Sequence, residues 1–246
     1  MTTADLWFRS FHTSTAGDDL RIVCFPHAGG SATYYRPLSA VLSPYAEVVA
    51  VQYPGRQDRF HEPIPGIGEL ADRIAGAMRA EGPRRRVFFG HSMGAVVAYE
   101  VARRLGPAAV FASGRRGPSV GRPETVHLLD DAGVIAHLRS LGGTEAVLLD
   151  DPDLRELVFP AVRGDYRAVA EHRPGERGRL DCPLIVMTGD ADPLTGVADA
   201  EAWREVAGGG FEVRVFPGGH FYLAEAWREV AGAMVEILEK LQIRTR

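Results

Sequence analysis

Val87-Phe88-Phe89-Gly90-His91-Ser92-Met93-Gly94 is the stretch whose reading decides the fold. An apolar run opens it, and Ala95 to Leu105 follows with helical spacing. Strand, G-x-S-x-G, helix is the order that a nucleophile elbow requires. The serine must sit at a strained turn, where a side chain two residues to either side would clash, and glycine removes that clash. The turn lifts the Ser92 hydroxyl clear of a sheet. The helix behind it aims unpaired N–H groups at the same place. Ser92 is therefore the candidate nucleophile. The N–H of Met93, next along the chain, is a candidate donor to an oxyanion. The plainer alternative is a Gly-rich strand–helix turn with a polar tip.

Outward from the elbow, short apolar runs alternate with longer helical patterns. Leu6–Phe11 alternates and predicts an edge strand. Leu20–Phe25 predicts a strand ended by Pro26, and Ser31–Leu42 a helix stopped by Ser43-Pro44. Glu47–Gln52 predicts a strand, with the loop Pro54–Arg59 after it. Leu70, Ile74, Ala77 and Met78 predict a helix from Ile67 to Arg79. Ala108–Ala112, Leu184–Met187 and Phe211–Phe216 are further strands, and helical segments at Gly196–Ala207 and Tyr222–Leu241 follow the last two. Strands joined by helices predict an α/β domain: a mostly parallel sheet of about seven strands with helices on both faces.

From Glu124 to Arg173 the alternation stops. Leu128, Val134, Ile135, Leu138 and Leu141 suit one helix, and Leu154 to Tyr166 another. Gly142-Gly143 and Asp151-Pro152 punctuate them. Residues 124–173 are read as a helical cap inserted within a single domain of residues 1–246, ordinary crossover helices being the alternative. His172 to Arg179 reads as an exposed hinge returning to the sheet.

Composition narrows the chemistry. A chain of 246 residues can bury one large core. A net charge of -4 shows no bias toward nucleic acid or an anionic membrane. No apolar run reaches the ~18 residues of a membrane span. The start, Met1 to Arg9, lacks a basic region followed by an apolar core, so no signal peptide is expected. Cys24 and Cys182 lie in or beside predicted core strands and read as small core filler, which points to the cytoplasm. Of 28 basic residues only Lys240 is lysine, so Schiff-base chemistry has almost no candidate. There is no H-E-x-x-H, C-x-x-C, Walker or G-x-G-x-x-G pattern, so neither a metal nor another cofactor is expected. The Arg84–Arg86, Arg103-Arg104 and Arg115-Arg116 runs read as solvated surface, with a docking patch for an acidic partner as the alternative.

A serine hydroxyl is a weak nucleophile without a base, and that base needs an orienting carboxylate. Among eight histidines, His220 follows a predicted strand in Pro217-Gly-Gly-His220, where glycines let the loop curl back toward the elbow. His91 adjoins the nucleophile but points elsewhere in an elbow, and His12, His61, His127, His137 and His172 read as solvated or locally bonded. Thr188-Gly-Asp190-Ala-Asp192-Pro193 places two acids at another strand end. Asp192 sits deeper in the loop and is the better partner for His220, while Asp190 suits a turn cap. Ser92, Asp192, His220 is the chain order of an α/β-hydrolase. A second oxyanion donor is expected from the loop after an early strand. Phe25-Pro-His-Ala28-Gly-Gly30 fits that place, with the N–H of Ala28 as the donor.

Together these motifs resemble the discrete type II thioesterases that accompany modular polyketide and nonribosomal peptide synthases. The resemblance rests on Phe25–Gly30, Pro54-Gly-Arg56, Gly90–Gly94, Leu141-Gly-Gly-Thr144, Gly189–Asp192 and Gly219-His-Phe221, in family order along nearly the whole chain. It implies that the inserted cap is a mobile lid. It carries the family's triad onto Ser92, Asp192 and His220, and its oxyanion donors onto Met93 and Ala28. It further implies hydrolysis of wrong or stalled acyl groups from the phosphopantetheine arms of acyl or peptidyl carrier proteins, with phosphopantetheine entering only as part of the substrate. The carrier protein is the expected partner, and the enzyme is expected to be a monomer. The rival readings are a general carboxylesterase or peptidase of the same fold, a malonyl-type acyltransferase, and a receptor that retains the triad without turnover.

Overall fold

The computed structural model describes residues 6–16, 20–142, 151–173 and 178–243. Its sheet is built from β1 (Phe8–Ser10), β2 (Leu20–Phe25), β3 (Glu47–Val51), β4 (Arg85–His91), β5 (Ala109–Ser113), β6 (Leu184–Gly189) and β7 (Phe211–Phe216). The order is β1-β3-β2-β4-β5-β6-β7, parallel except for β1. Side chains alternate across each strand, so each face has its own core. Val23, Phe25, Phe88, Val110 and Val186 face α2 (Ile67–Ala80) and α3 (Met93–Leu105). Ile22, Cys24, Phe89, Phe111 and Met187 face α1 (Arg36–Leu42) and the C-terminal helix.

The strand order reverses at β2. The chain moves from β2 outward to β3, then returns across β2 to β4. Loops leaving β2 and β4 therefore diverge at a crevice at the carboxyl edge of the sheet, where α/β proteins place their ligands. Phe25 pairs with Gly90, so the loop after β2 and the elbow after β4 start side by side. This is the α/β-hydrolase arrangement expected from the sequence.

Between β5 and β6 the described residues of 124–173 contain no strand. They form a 3-10 turn (Val126–Leu128), α4 (Asp131–Leu141) and α5 (Pro152–Glu171). Gly143 and Thr144, the end of the Leu141-Gly-Gly-Thr motif, lie outside the described residues. Val126, Val134, Phe159 and Val162 make a small core of their own. Helix α5 runs beyond the expected end at Tyr166, because Ala168 and Val169 bury against the main core. It does so despite Pro160, which lacks an N–H for the helical ladder.

Two other expectations are corrected. After α6 (Val197–Glu201), Tyr222–Leu241 is not one helix. A 3-10 turn spans Tyr222–Ala224, and α7 (Trp227–Lys240) starts later, because Tyr222 and Leu223 turn inward and are buried. The arginine runs are also mostly committed within the chain. Arg84 pairs with Glu47, Arg86 with Glu81, Arg103 and Arg104 with Glu100, and Arg115 and Arg116 with Glu124. No described helix is long and apolar enough to cross a membrane.

Glu100, buried on α3, also meets His172 Nε2 at 3.4 Å, so the expected exposed hinge starts with a tethered residue. Burial alone would raise the Glu100 carboxyl, but hydrogen bonds from His172 and Arg104, with Arg103 nearby, hold it at about 2. Its ordinary value is 4.5, so the contribution is complete above that pH and is lost as pH falls toward 2. Glu100→Gln is expected to lower the free energy of urea unfolding by about 1–3 kcal/mol at neutral pH. The gap to the wild type should close between pH 4.5 and 2.

Candidate active site

Ser92 occupies φ 55°, ψ −116° between β4 and α3, a backbone conformation that side-chain-bearing residues rarely adopt. Two glycines allow it. A Cβ at Gly90 would run into the Gly94 carbonyl, and one at Gly94 into the carbonyls of Phe25 and Pro26. The Ser92 N–H donates to the Ser113 carbonyl at 2.8 Å, which ties the elbow to the end of β5. Met93 opens α3, so its N–H belongs to the first turn, which has no partner within the helix.

The loops after β6 and β7 are zipped together. Asp190 N–H donates to Phe216 O and Ala191 N–H to Gly218 O, at 2.8 and 2.9 Å. Asp190 Oδ1 accepts the Gly218 N–H at 2.9 Å, so this acid bonds across to the neighbouring loop instead of capping its own turn. The close approach needs Gly189, where a Cβ would strike the carbonyls of Gly218 and Gly219. The zipper brings His220 Nδ1 to 3.1 and 3.0 Å from the two Asp192 carboxylate oxygens. Both side chains are sealed, at 2% and 0% exposure. Asp192 Oδ1 also accepts the Leu194 N–H at 2.8 Å, which fixes the carboxylate plane. The His220 ring lies over the ends of β4 and β5: its centroid is 5.1 Å from that of His91, and a Cβ at Gly114 would sit 3.5 Å from its Cε1.

Ala28 is buried in the loop after β2, beside a cavity of about 540 Å³. Phe60, Leu138 of α4, and Leu157, Val158 and Val162 of α5 supply its apolar walls, and Ser31, Thr33, Arg56 and Gln57 a polar side. It is mostly apolar, and its size is that of a small-ligand site.

Comparison with known proteins then decides the family. The thioesterase-domain model matches residues 20–241. The chain belongs to the thioesterase family. It is 52% identical over 227 residues to a probable cadicidin biosynthesis thioesterase of Streptomyces griseus, covering 90% of this chain and 63% of that protein. The chain thus spans just under two thirds of that relative's length. It is 44% identical over 230 residues to the thioesterase PikA5 of Streptomyces venezuelae, covering 89% of this chain and 80% of that protein. The solved structure of BorB, a type II thioesterase from the borrelidin biosynthetic cluster, superposes with a TM-score of 0.85 at 42% identity, over 96% of this chain and 99% of that one. Within the family this chain is a type II thioesterase of the polyketide and nonribosomal peptide kind.

The thioesterase carries a second histidine layer beneath the first. His91 is fully buried, with Nδ1 2.9 Å from Ser113 Oγ, which in turn is 2.8 Å from Tyr222 Oη. Burial, with the His220 and His27 rings close by, holds the His91 imidazole well below its ordinary value, so it is neutral. Ser113 has no exposure and shares its hydroxyl with Tyr222, so this Ser–His pair supports the site from below and is not placed to attack a substrate. Sequence reasoning set His91 aside and missed Ser113 and Tyr222. A strand-end serine carries no local signal of its partner 109 residues away. His12 and His137 bond at a distance along the chain, to Ser39 and Tyr166, 27 and 29 residues away.

Gly94→Ala tests the elbow. Its methyl would strike backbone, which cannot swing away. The variant is expected to lose about 3 kcal/mol or more in urea unfolding, and hydrolysis with it.

Proposed function

We propose that the thioesterase hydrolyses acyl groups from the phosphopantetheine arms of carrier proteins, using Ser92 as nucleophile, His220 as base and Asp192 as the orienting acid. The observation that carries this is the sealed His220–Asp192 contact, with the His220 ring 5.1 Å from that of His91, the residue before the strained Ser92. With Nδ1 held by Asp192, Nε2 is the ring nitrogen left to exchange protons. It takes the Ser92 proton as the oxygen attacks the acyl carbonyl. The N–H groups of Met93 and Ala28 stabilise the tetrahedral oxyanion. Collapse breaks the C–S bond, the Nε2 proton passes to the departing sulfur, and the pantetheine thiol leaves readily, since a thiol such as that of cysteine has a pKa of roughly 8.5. Water, deprotonated by His220, then attacks the acyl-enzyme; the bond to Ser92 breaks, the Nε2 proton returns to the Ser92 oxygen, and the free acid leaves.

The apolar cavity beside Ala28 supports an acyl chamber, and residues 124–173, two of whose helices wall it, supply the lid. Free, buried Cys24, whose thiol burial pushes up, agrees with work in the cytoplasm. The relatives' names tie two of them to the biosynthesis of cadicidin and borrelidin, and the type II class of BorB supports an editing role on stalled or wrong acyl groups.

Carrier proteins bearing different acyl-phosphopantetheine arms, followed by mass spectrometry, test the substrate class. Release of free acid with regeneration of the bare arm is expected, with turnover of small oxygen esters slower. Faster cleavage of oxygen esters and indifference to the carrier would make it a general esterase. Ser92→Ala should lose on the order of 10⁴–10⁶ in turnover. Asp192→Asn should cost about 10⁴. Asp190→Asn should cost far less, since that carboxylate meets a loop N–H and not the imidazole; the reverse order would move the acid to Asp190.

A further inference from the structure

Arg56, Asp165 and the loop carrying Ala28 form a polar cluster outside the proposed triad. Arg56 is 6% and Asp165 2% exposed. Arg56 Nη1 and Nη2 donate to Asp165 Oδ2 and Oδ1 at 2.7 and 2.8 Å. This two-pronged fit is the strongest and most directional pairing available to a guanidinium. Asp165 Oδ2 also accepts the Gly29 N–H at 2.8 Å. Arg56 Nη1 donates further to the Gly30 carbonyl at 3.0 Å, and Nε to the Pro54 carbonyl at 3.1 Å. A carboxylate on α5 thus grips the backbone of the loop after β2, 136 residues away.

The part gripped is a turn. His27 O accepts the Gly30 N–H at 3.0 Å, and Gly29 has φ +78°, the value of the third residue of a type II turn. Its central peptide joins Ala28 to Gly29. Type I and type II turns differ by a rotation of that peptide, so an acceptor fixed on the Gly29 N–H selects one of them. The Ala28 N–H lies one peptide earlier and takes its aim from the same turn. A buried carboxylate without a cation would be costly, and Arg56 supplies one.

We propose that Asp165, held by Arg56, is a positioning residue: it locks the Ala28-Gly29 turn so that the Ala28 N–H already points at the oxyanion before substrate arrives. This rests on the proposed oxyanion role of Ala28. Donors fixed in advance stabilise the transition state without reorganising, so loosening them affects turnover far more than ground-state binding. Because Asp165 belongs to the inserted segment, the oxyanion hole is complete only while α5 sits on the β2 loop.

Asp165→Asn keeps the side chain's shape and removes its charge. With an acyl-N-acetylcysteamine thioester, kcat is expected to fall about 10- to 100-fold, less than for loss of a whole donor, with KM within about twofold. Two inhibitors with the same acyl chain separate positioning from general damage. A trifluoromethyl ketone becomes a charged hemiketal on Ser92, whereas the matching thioether develops no charge. Ketone affinity should fall about tenfold while thioether affinity holds. Arg56→Lys keeps a cation but loses the fork, and should move the same ratio by a smaller factor; it gives the reading should Asp165→Asn not fold. Equal weakening of both inhibitors, or an unchanged ratio in a folded variant, would overturn the proposal. A wild-type enzyme that fails to prefer the ketone would overturn the oxyanion assignment beneath it as well.

Discussion

The contact on which the rest of the site depends is the approach of Gly94 to the carbonyls of Phe25 and Pro26. Strand pairing sets Phe25 beside Gly90, and the absence of side chains at Gly90 and Gly94 lets α3 start directly against the end of β2. Nothing larger than glycine leaves room for it. The strained conformation of Ser92 is a consequence: a chain that leaves β4 and enters a helix this close to a neighbouring strand must turn sharply. The same closeness brings together the β2 loop and the start of α3, the two proposed sources of oxyanion donors. The proposed nucleophile and oxyanion hole thus both follow from one backbone constraint at the switch in strand order.

The proposed acid and base arise by a different route. Asp192 and His220 come from adjacent strands, β6 and β7, whose exit loops are laced by backbone bonds and by Asp190. Asp190 therefore matters for a physical reason of its own. It holds the His220 loop through the Gly218 N–H, while Asp192 meets the imidazole. Two acids two residues apart divide the work of placing one histidine, one through its backbone and one through its ring.

Much of this was legible in the sequence, because local rules suffice for it. The strands alternate or run apolar, the elbow shows its glycines, and each site loop follows a readable strand. Depth in the loop was enough to expect Asp192, and not Asp190, against the His220 ring, although the bond from Asp190 across to Gly218 was not readable. What stayed hidden is long-range pairing. Ser113 reads as an ordinary strand end, and only the folded sheet sets its hydroxyl between His91 and Tyr222. The arginine runs read as surface, since a sequence does not show which carboxylates lie opposite. The early break before α7 escaped as well, because Tyr222 and Leu223 carry the same apolar signal whether they continue a helix or turn inward.

Asp165 and Glu100 show that some long-range pairing does leave a trace. On α5 the buried positions among the described side chains are Phe159, Ala161, Val162, Gly164, Asp165, Ala168 and Val169, one face of the helix with Asp165 as its one charged member. On α3 Glu100 interrupts Val97, Ala98, Val101 and Ala102 in the same way. A carboxylate in the centre of an apolar stripe must find a cation or be expelled. Both found arginines: Glu100 mainly within its own helix, and Asp165 across the molecule at Arg56. The local pair stiffens a helix end. The distant pair fastens α5 to the loop of the proposed oxyanion donor, and an expensive buried charge is best understood where such a fastening is needed. An apolar pair of equal volume could fill the same space, yet it could not accept the Gly29 N–H or bond the Gly30 carbonyl.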